Sequence, residues 1–285
     1  MSGVATVLTH RRPAETRPAL AALAQCARRA GVTLRFDPQE TRKHAFASED
    51  GLELDADSLD GVQICFALGG DGTILSALRM FAGTDVPTFG VNFGEIGFLA
   101  AVEGSDAGSG FERALAGDFE VLRLPVLALS GSVAPAIAIN DVSIHRHSGN
   151  RVAHLAYSVG PDEVGSVRCD GLVVGTPAGS TGYNLANGGP VMAWGVEGFV
   201  VSFIAPHSLT ARALVVAPGD ALTVCNRSPD ESVDVAIDGR PVATLGAGEQ
   251  LQVCFDDRRA ALAQLPGATF YQRLREKFGR LANVP

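Results

Sequence analysis

The stretch LGGDGTIL, residues 68–75, decides how this chain is read. Before it, apolar residues alternate at Val62, Ile64, Phe66 and Leu68, the period of a strand; after it they fall at Ile74, Leu75, Leu78 and Phe81, the period of a helix. Three glycines around one aspartate therefore stand where a strand hands over to a helix. At such a point backbone N–H groups can approach a phosphate while a carboxylate points at the same spot, a layout suited to phosphoryl transfer. The same spelling also fits a tight strand-to-helix turn with an aspartate cap. Two familiar phosphate loops are excluded. A Walker loop needs a lysine and a Ser/Thr after its last glycine, but Thr73 and Ile74 follow Gly72 and the only lysines are Lys43 and Lys277. A dinucleotide fingerprint begun at Gly70 and Gly72 needs a third glycine where Leu75 stands.

Working outward, residues 4–8 read as a buried strand, 18–30 as a helix stopped by Gly31, 32–36 as a second strand and 87–92 as another. Residues 37–60 are polar and acidic without a clear period and read as a long loop. This βαβ-like alternation predicts an α/β N-terminal domain over residues 1–118 with a largely parallel sheet. Beyond it the texture changes to short β-rich runs at 122–129, 136–144, 152–159, 172–174, 200–204, 221–225, 233–237 and 250–255, which predict a β-rich, antiparallel C-terminal domain over 119–285. Asp238-Gly239 has the spelling of a hairpin turn. Residues 269–281 read as an amphipathic helix with Tyr271, Leu274 and Phe278 on one stripe, and the segment 266–285 is a candidate to pack back on the first domain.

A length of 285 residues allows two domains of ordinary size or one large one, and 46% hydrophobic against 19% charged residues describes a globular chain. The net charge of −8 argues against duplex nucleic acid or an anionic membrane as partner. An anionic substrate must then be held locally, by arginines, loop amides and a divalent metal carried in with the phosphates. Five cysteines without a CxxC pair indicate neither a disulfide framework nor a zinc site. With no signal-peptide core in MSGVATVLTHRRP and no apolar run of about 18 residues, the expected location is the cytoplasm, without a membrane span.

Three further segments carry polar groups in suggestive places. DGLVVGTPAGSTGYNLANGGP, residues 170–190, sets a strand-like run between glycine-rich turns and then places Ser180-Thr181 at a helix start, where hydroxyls and amides facing outward would suit sugars or phosphates. Asn140-Asp141 breaks two apolar runs. An amide beside a carboxylate can grip vicinal ribose hydroxyls, and the pair equally suits a turn. GVNFGEIGFLA, residues 90–100, ends a strand with glycines, where ligands bind in α/β sheets; its apolar members equally suit packing. His145 and His147 share a strand face and could chelate, although hydrogen bonding is the expectation for both. No HExxH spacing and no GxSxG elbow is present.

Taken together these segments resemble the NAD kinase family, which phosphorylates the adenosine-ribose 2′-hydroxyl of NAD. The likeness runs through 68–75, 90–100, INDVSIHR at 139–146, CDGLVVGTPAGSTGYNLANGGP at 169–190, APHSLTARALVV at 205–216, IDGRP at 237–241 and the terminal FYQRLREKFG. GGDGT alone is shared with lipid and sugar kinases, so a lipid kinase and a non-catalytic NAD(P) sensor are the alternatives; the ordered set is specific. The resemblance implies a two-domain subunit with its site in the cleft between domains, assembled as dimers or tetramers, using ATP or polyphosphate with Mg²⁺ and no metal site of its own. It implies Asp71 as catalytic base and Gly69, Gly70, Gly72 and Thr73 as the phosphate loop. It implies Asn140 and Asp141 as the pair on nucleotide hydroxyls, and Asp170, Thr181, Gly182, Tyr183 and Phe98 as lining the nicotinamide nucleotide pocket. Arg168 falls where members differ and resembles those preferring NAD to NADH. Departures are Gly182 for the usual alanine, Ala186 for serine, Ala178 for Thr or Ser and Ile96 for leucine.

Overall fold

The computed structural model describes residues 3–47, 50–57, 59–95 and 97–279, with backbone only at position 258. Ile96, and the end of the expected C-terminal helix beyond residue 279, lie outside the described residues. The chain forms two compact units: one made of the residues up to Arg123 together with those from Ala260 onward, the other Leu124–Arg259.

The first unit opens with β1 (Gly3–Thr9), α1 (Pro13–Ala30), β2 (Val32–Arg35), α2 (Pro38–His44), β3 (Leu52–Glu53), β4 (Val62–Gly69), α3 (Asp71–Met80), β5 (Thr88–Asn92), β6 (Val102–Glu103) and α4 (Ala107–Leu115). β1 pairs with β2 and β4, β4 with β5, β2 with β3 and β5 with β6, all parallel. Apart from Gln63, every residue of β4 is buried, the mark of a parallel strand covered on both faces. Phe66 from β4 meets Phe111 of α4 edge-on at 5.7 Å, while Leu20, Leu23 and Ala27 of α1 enter the same core.

Two expectations need correcting here. α1 begins five residues earlier than residue 18, because Pro13 takes the first turn, where no N–H is needed, and Pro18 is carried inside the helix; Gly31 ends it at φ +67°. The region 37–60 is not one loop. Asp37 accepts the Glu40 N–H at 2.7 Å with Pro38 at the first helical position, so α2 forms on capping chemistry over a span too short to show a period.

The second unit holds β7 (Glu120–Gly131), β8 (Ala136–Ala138), β9 (Asp141–Arg146), β10 (Ala153–Val159), β11 (Asp162–Cys169), β12 (Gly171–Gly175), α5 (Tyr183–Ala186), β13 (Phe199–Ile204), β14 (Leu214–Val216), β15 (Leu222–Asn226), β16 (Val233–Ile237), β17 (Arg240–Leu245) and the start of β18 (Gln250–Gln264). One antiparallel sheet runs β14-β13-β12-β9-β16-β17; in the other, β11-β10-β15-β18 are neighbours and β7 pairs β18 and β8. Leu172, Val174, Phe199 and Val235 from the first sheet share a core with Leu155, Val224 and Val253 from the second. β11 and β14 were not expected. β11 is mostly exposed and polar, so no apolar alternation betrays it.

The end of the chain returns to the first unit. Leu262 and Ala263 of β18 pair in parallel with β5, and α6 (Phe270–Phe278) follows, closed at its start by a Thr269/Gln272 capping box. Its buried residues are Phe270 and Arg273; of the expected stripe Tyr271 faces out at 69% exposure, while Leu274 is half-buried and Phe278 packs on Phe98. An arginine on the buried face hides the true period.

Candidate functional site

In the first unit the site is built where β4 ends. Gly69 must lack a side chain because a Cβ there would lie 2.3 Å from Thr73 Oγ1, and Gly94 lets its backbone pass Gly70 closely: a Cβ on Gly94 would come within 3.1 Å of Gly70 Cα, whereas one on Gly70 would make an ordinary contact of 3.6 Å. Gly72 is different. It is exposed, and a Cβ there would meet nothing within 4 Å, so packing does not demand glycine and the first turn of α3 is left open. Asp71 reaches across to the loop after β5. Its Oδ2 accepts the Phe98 N–H at 2.9 Å and its Oδ1 the Leu99 N–H at 3.0 Å.

The carbonyl side of that same loop is held by residues that sequence reasoning missed. The Arg273 guanidinium donates to Phe98 O at 3.1 Å and also to Ala100 O and Gln264 Oε1, while Gln264 Nε2 donates to Leu99 O at 3.2 Å. Residues 98–100 are thus gripped by a carboxylate on one side and a buried arginine on the other. The apolar residues of the terminal motif do not point to it; the signal in the sequence is an arginine inside an amphipathic stretch. Phe98 is buried, its ring packed on Phe270 at 5.8 Å and Phe278 at 5.9 Å.

In the second unit the break between β8 and β9 carries Asn140 and Asp141. Thr176 N donates to Asn140 O at 2.8 Å and Thr176 Oγ1 to Ile139 O at 2.7 Å. Gly179 packs directly on this backbone; a Cβ there would sit 2.0 Å from Asn140 O. With the backbone so fixed, Asn140 Oδ1 is buried without a hydrogen-bond partner. Asp141 is only 7% exposed, and burial first, then the neighbouring Asp238, pushes its carboxyl up to about 7.

The 170–190 segment closes over this turn. Gly182 faces Asp141, since a Cβ on it would lie 3.9 Å from Asp141 Oδ2, and Thr181 Oγ1 donates to Ala178 O at 3.2 Å. The Tyr183 ring, 37% exposed, stacks on His145 at 5.6 Å and 17°. Burial, then Asp141 and Asp170, raise the Tyr183 phenol above its ordinary value, and burial lowers His145. Asp170 accepts from Arg146 Nε at 2.7 Å. Arg168 lies elsewhere. It is exposed on β11 opposite His154, lining a cavity of about 620 Å³ with Arg151, Ser228, Asp230 and Glu231.

One polar expectation changes. Ser180 does not face outward: it is fully buried, donating to Pro177 O at 2.7 Å and accepting the Met192 N–H at 2.8 Å, so its hydroxyl braces the loop. His145 and His147 do not form a chelating pair, because one stacks on Tyr183 and the other lies 3.0 Å from Asp234 Oδ2.

Comparison with known proteins agrees with this organisation. Residues 20–119 match the ATP-NAD kinase N-terminal domain and residues 139–265 the ATP-NAD kinase C-terminal domain. An NAD kinase of Gemmatimonas aurantiaca is 35% identical over 238 residues, 81% of this chain and 82% of its own. Among solved structures, yeast NADH kinase complexed with NADH superposes with a TM-score of 0.87 at 22% identity, covering 100% of this chain and 89% of that one. An NAD kinase from Archaeoglobus fulgidus in complex with ATP gives 0.75 at 22% identity, covering 99% and 100%. At that identity the structures speak for the fold. The chain is built from the two domains of an ATP-NAD kinase. It belongs to the NAD kinase family.

Proposed function

We propose that this protein is an NAD kinase, moving the terminal phosphate of ATP, or of polyphosphate, to the adenosine-ribose 2′-hydroxyl of NAD. The observation that carries the reading is Asp71, fixed through both oxygens at an intact GGDGT turn in a member of this family. Each carboxylate oxygen keeps a lone pair beyond the N–H it accepts, so a hydroxyl can still donate to it. The 2′ oxygen forms its bond to the terminal phosphorus, the phosphoanhydride bond to the leaving diphosphate breaks, and the hydroxyl proton passes to Asp71. Phosphoryl transfer depends mainly on positioning and charge stabilisation, so the loop of Gly69, Gly70, Gly72 and Thr73 serves where no lysine is at hand, with the Thr73 N–H itself committed to Gly70 O at 2.9 Å. Asn140 and Asp141 hold ribose hydroxyls, and Asp170, Thr181, Gly182, Tyr183 and Phe98 shape the pocket.

Magnesium would supply charge neutralisation on the phosphates. Among the described residues no group of three or more His, Cys, Asp or Glu could hold a metal ion. The proposed setting is a homodimer or homotetramer in the cytoplasm. The five cysteines are free, and among the described residues no helix is long and apolar enough to cross a membrane.

Purified protein incubated with Mg²⁺, NAD or NADH, and ATP or polyphosphate should form NADP from NAD and ATP. Tight NAD binding with no NADP formed would favour a sensor, and phosphorylation of dispersed diacylglycerol instead would favour a lipid kinase.

Asp141 gives this reading a pH dependence. Its carboxyl titrates near 7 in the folded chain against 3.8 ordinarily, and only the ionised form accepts from two hydroxyls. NAD affinity should therefore rise between about pH 6 and pH 8 and then level off. Between about pH 4 and 7 the folded state holds a proton that the unfolded state has released, so this group makes stability fall as pH rises through that window. Titration calorimetry and thermal melts across this range should show the affinity slope in the wild type and not in Asp141→Asn, and a stability that falls more steeply with pH in the wild type than in Asp141→Asn.

A further inference from the structure

The tip of the β16–β17 hairpin contains Asp238 at φ +46° and Gly239 at φ +73°, two successive left-handed residues of the kind that turn a two-residue hairpin. Asparagine or glycine would serve such a turn, so the turn alone does not call for a carboxylate. The side chain is used elsewhere. Asp238 Oδ1 accepts the Asn140 N–H at 2.7 Å and the Asp141 N–H at 3.2 Å, Oδ2 accepts the Ile139 N–H at 3.3 Å, and the Asp238 N–H donates to Asp141 O at 2.9 Å. With Thr176 on the carbonyls of Ile139 and Asn140, every backbone polar group of residues 139–141 has a partner, and only the two side chains remain to meet a ligand.

We propose that Asp238 is a positioning residue of the dinucleotide site, holding the Asn140-Asp141 turn in the shape that grips the ribose hydroxyls. This rests on the NAD kinase reading above. The arrangement sets a second carboxylate beside a nearly buried one, an unfavourable pairing kept because the N–H groups of residues 139–141 use both of its oxygens and asparagine offers only one. The titratable groups around Asp141 are Asp238 on the hairpin and the Tyr183 phenol on α5, with Asp170 and His145 acting on that phenol. Asp238 therefore does two things at once. Its oxygens shape the turn, and its charge delays ionisation of Asp141.

Two variants separate these effects. Asp238→Ala removes both and should weaken NAD binding by about tenfold or more at pH 8.5, where Asp141 is ionised in either protein, while speeding hydrogen exchange of the peptide containing residues 139–141 in the free protein. Asp238→Asn keeps one acceptor oxygen for the Asn140 and Asp141 amides and gives up only the longest contact, that from the Ile139 N–H at 3.3 Å. It should bind NAD within about threefold of wild type at pH 8.5, and the pH midpoint for binding should shift downward. A folded Asp238→Ala protein with wild-type exchange over 139–141 and wild-type NAD affinity would overturn the role, as would an Asp238→Asn protein with an unmoved midpoint. The exchange measurement needs no ligand, so it fails or succeeds independently of the dinucleotide assignment. Absence of NAD binding by the wild type would instead sink that assignment and this role with it.

Discussion

Asp71→Asn is expected to cut turnover by about 10²- to 10⁴-fold, the usual contribution of a general base. The structure adds a complication that the motif conceals. Both Asp71 oxygens accept a backbone N–H, from Phe98 and from Leu99, and asparagine can offer only one oxygen. Its amide nitrogen would face one of those N–H groups, leaving a donor unmet at about 1–3 kcal/mol. Loss of the base and loosening of residues 98–99 would then both contribute. Asp71→Glu distinguishes them, because the longer side chain keeps the carboxylate but cannot preserve both short contacts. If proton transfer dominates, the Glu protein should melt as early as the Asn protein yet turn over at least about tenfold faster. Equal turnover of the two would assign the loss to the broken clamp, and near wild-type turnover of Asp71→Asn would remove Asp71 from catalysis. NAD affinity should barely change in either, since Asn140 and Asp141 are held by a different set of contacts.

Gly179→Ala is expected to have the second largest effect. The new Cβ would lie 2.0 Å from Asn140 O, 2.4 Å from its carbonyl carbon and 2.7 Å from its Cα. These are backbone atoms, held in turn by Thr176 and Asp238, so no flexible side-chain end can swing away. Forcing a methyl group into such a contact destabilises by about 1–3 kcal/mol, or more where the surroundings are rigid. The displaced residue is Asn140 itself, so NAD affinity should fall with stability, by about tenfold or more. Gly182→Ala is the control. It restores the residue usual in the family, and its Cβ would lie 3.3 Å from Gly179 O and 3.9 Å from Asp141 Oδ2, a fit needing only a few tenths of an ångström. Thermal melts and calorimetric NAD titrations of both proteins should diverge sharply. A Gly179→Ala protein with wild-type melting and affinity would show that this close approach is dispensable.

The difference between these glycines shows where reading from sequence stops. All six glycines of residues 170–190 look alike as letters, and their density was a sound signal of a special backbone. Only the folded chain separates Gly179, pressed on another segment, from Gly188, whose φ of +72° sets a turn in open space. Ser180 repeats the point: a hydroxyl at a helix start was expected to face a ligand, and it is buried between Pro177 and Met192. α2, β11 and β14 were missed because short or exposed elements leave too few apolar residues to declare a period.

The sequence by itself determined what depends on neighbours along the chain: the strand, glycine turn and helix around residue 71, the alternation that makes one part α/β and the other β-rich, and the tight turn at Asp238-Gly239. These follow from side-chain period and backbone permissiveness, which act over a few residues. The tertiary structure alone decided that Asp71 and Arg273 grip opposite sides of residues 98–100, and that Asp238 shapes the turn at Asn140. Those bonds join residues 27, 175 and 98 positions apart, and a directional contact of a few ångströms between such distant residues has no periodic trace in the order of amino acids.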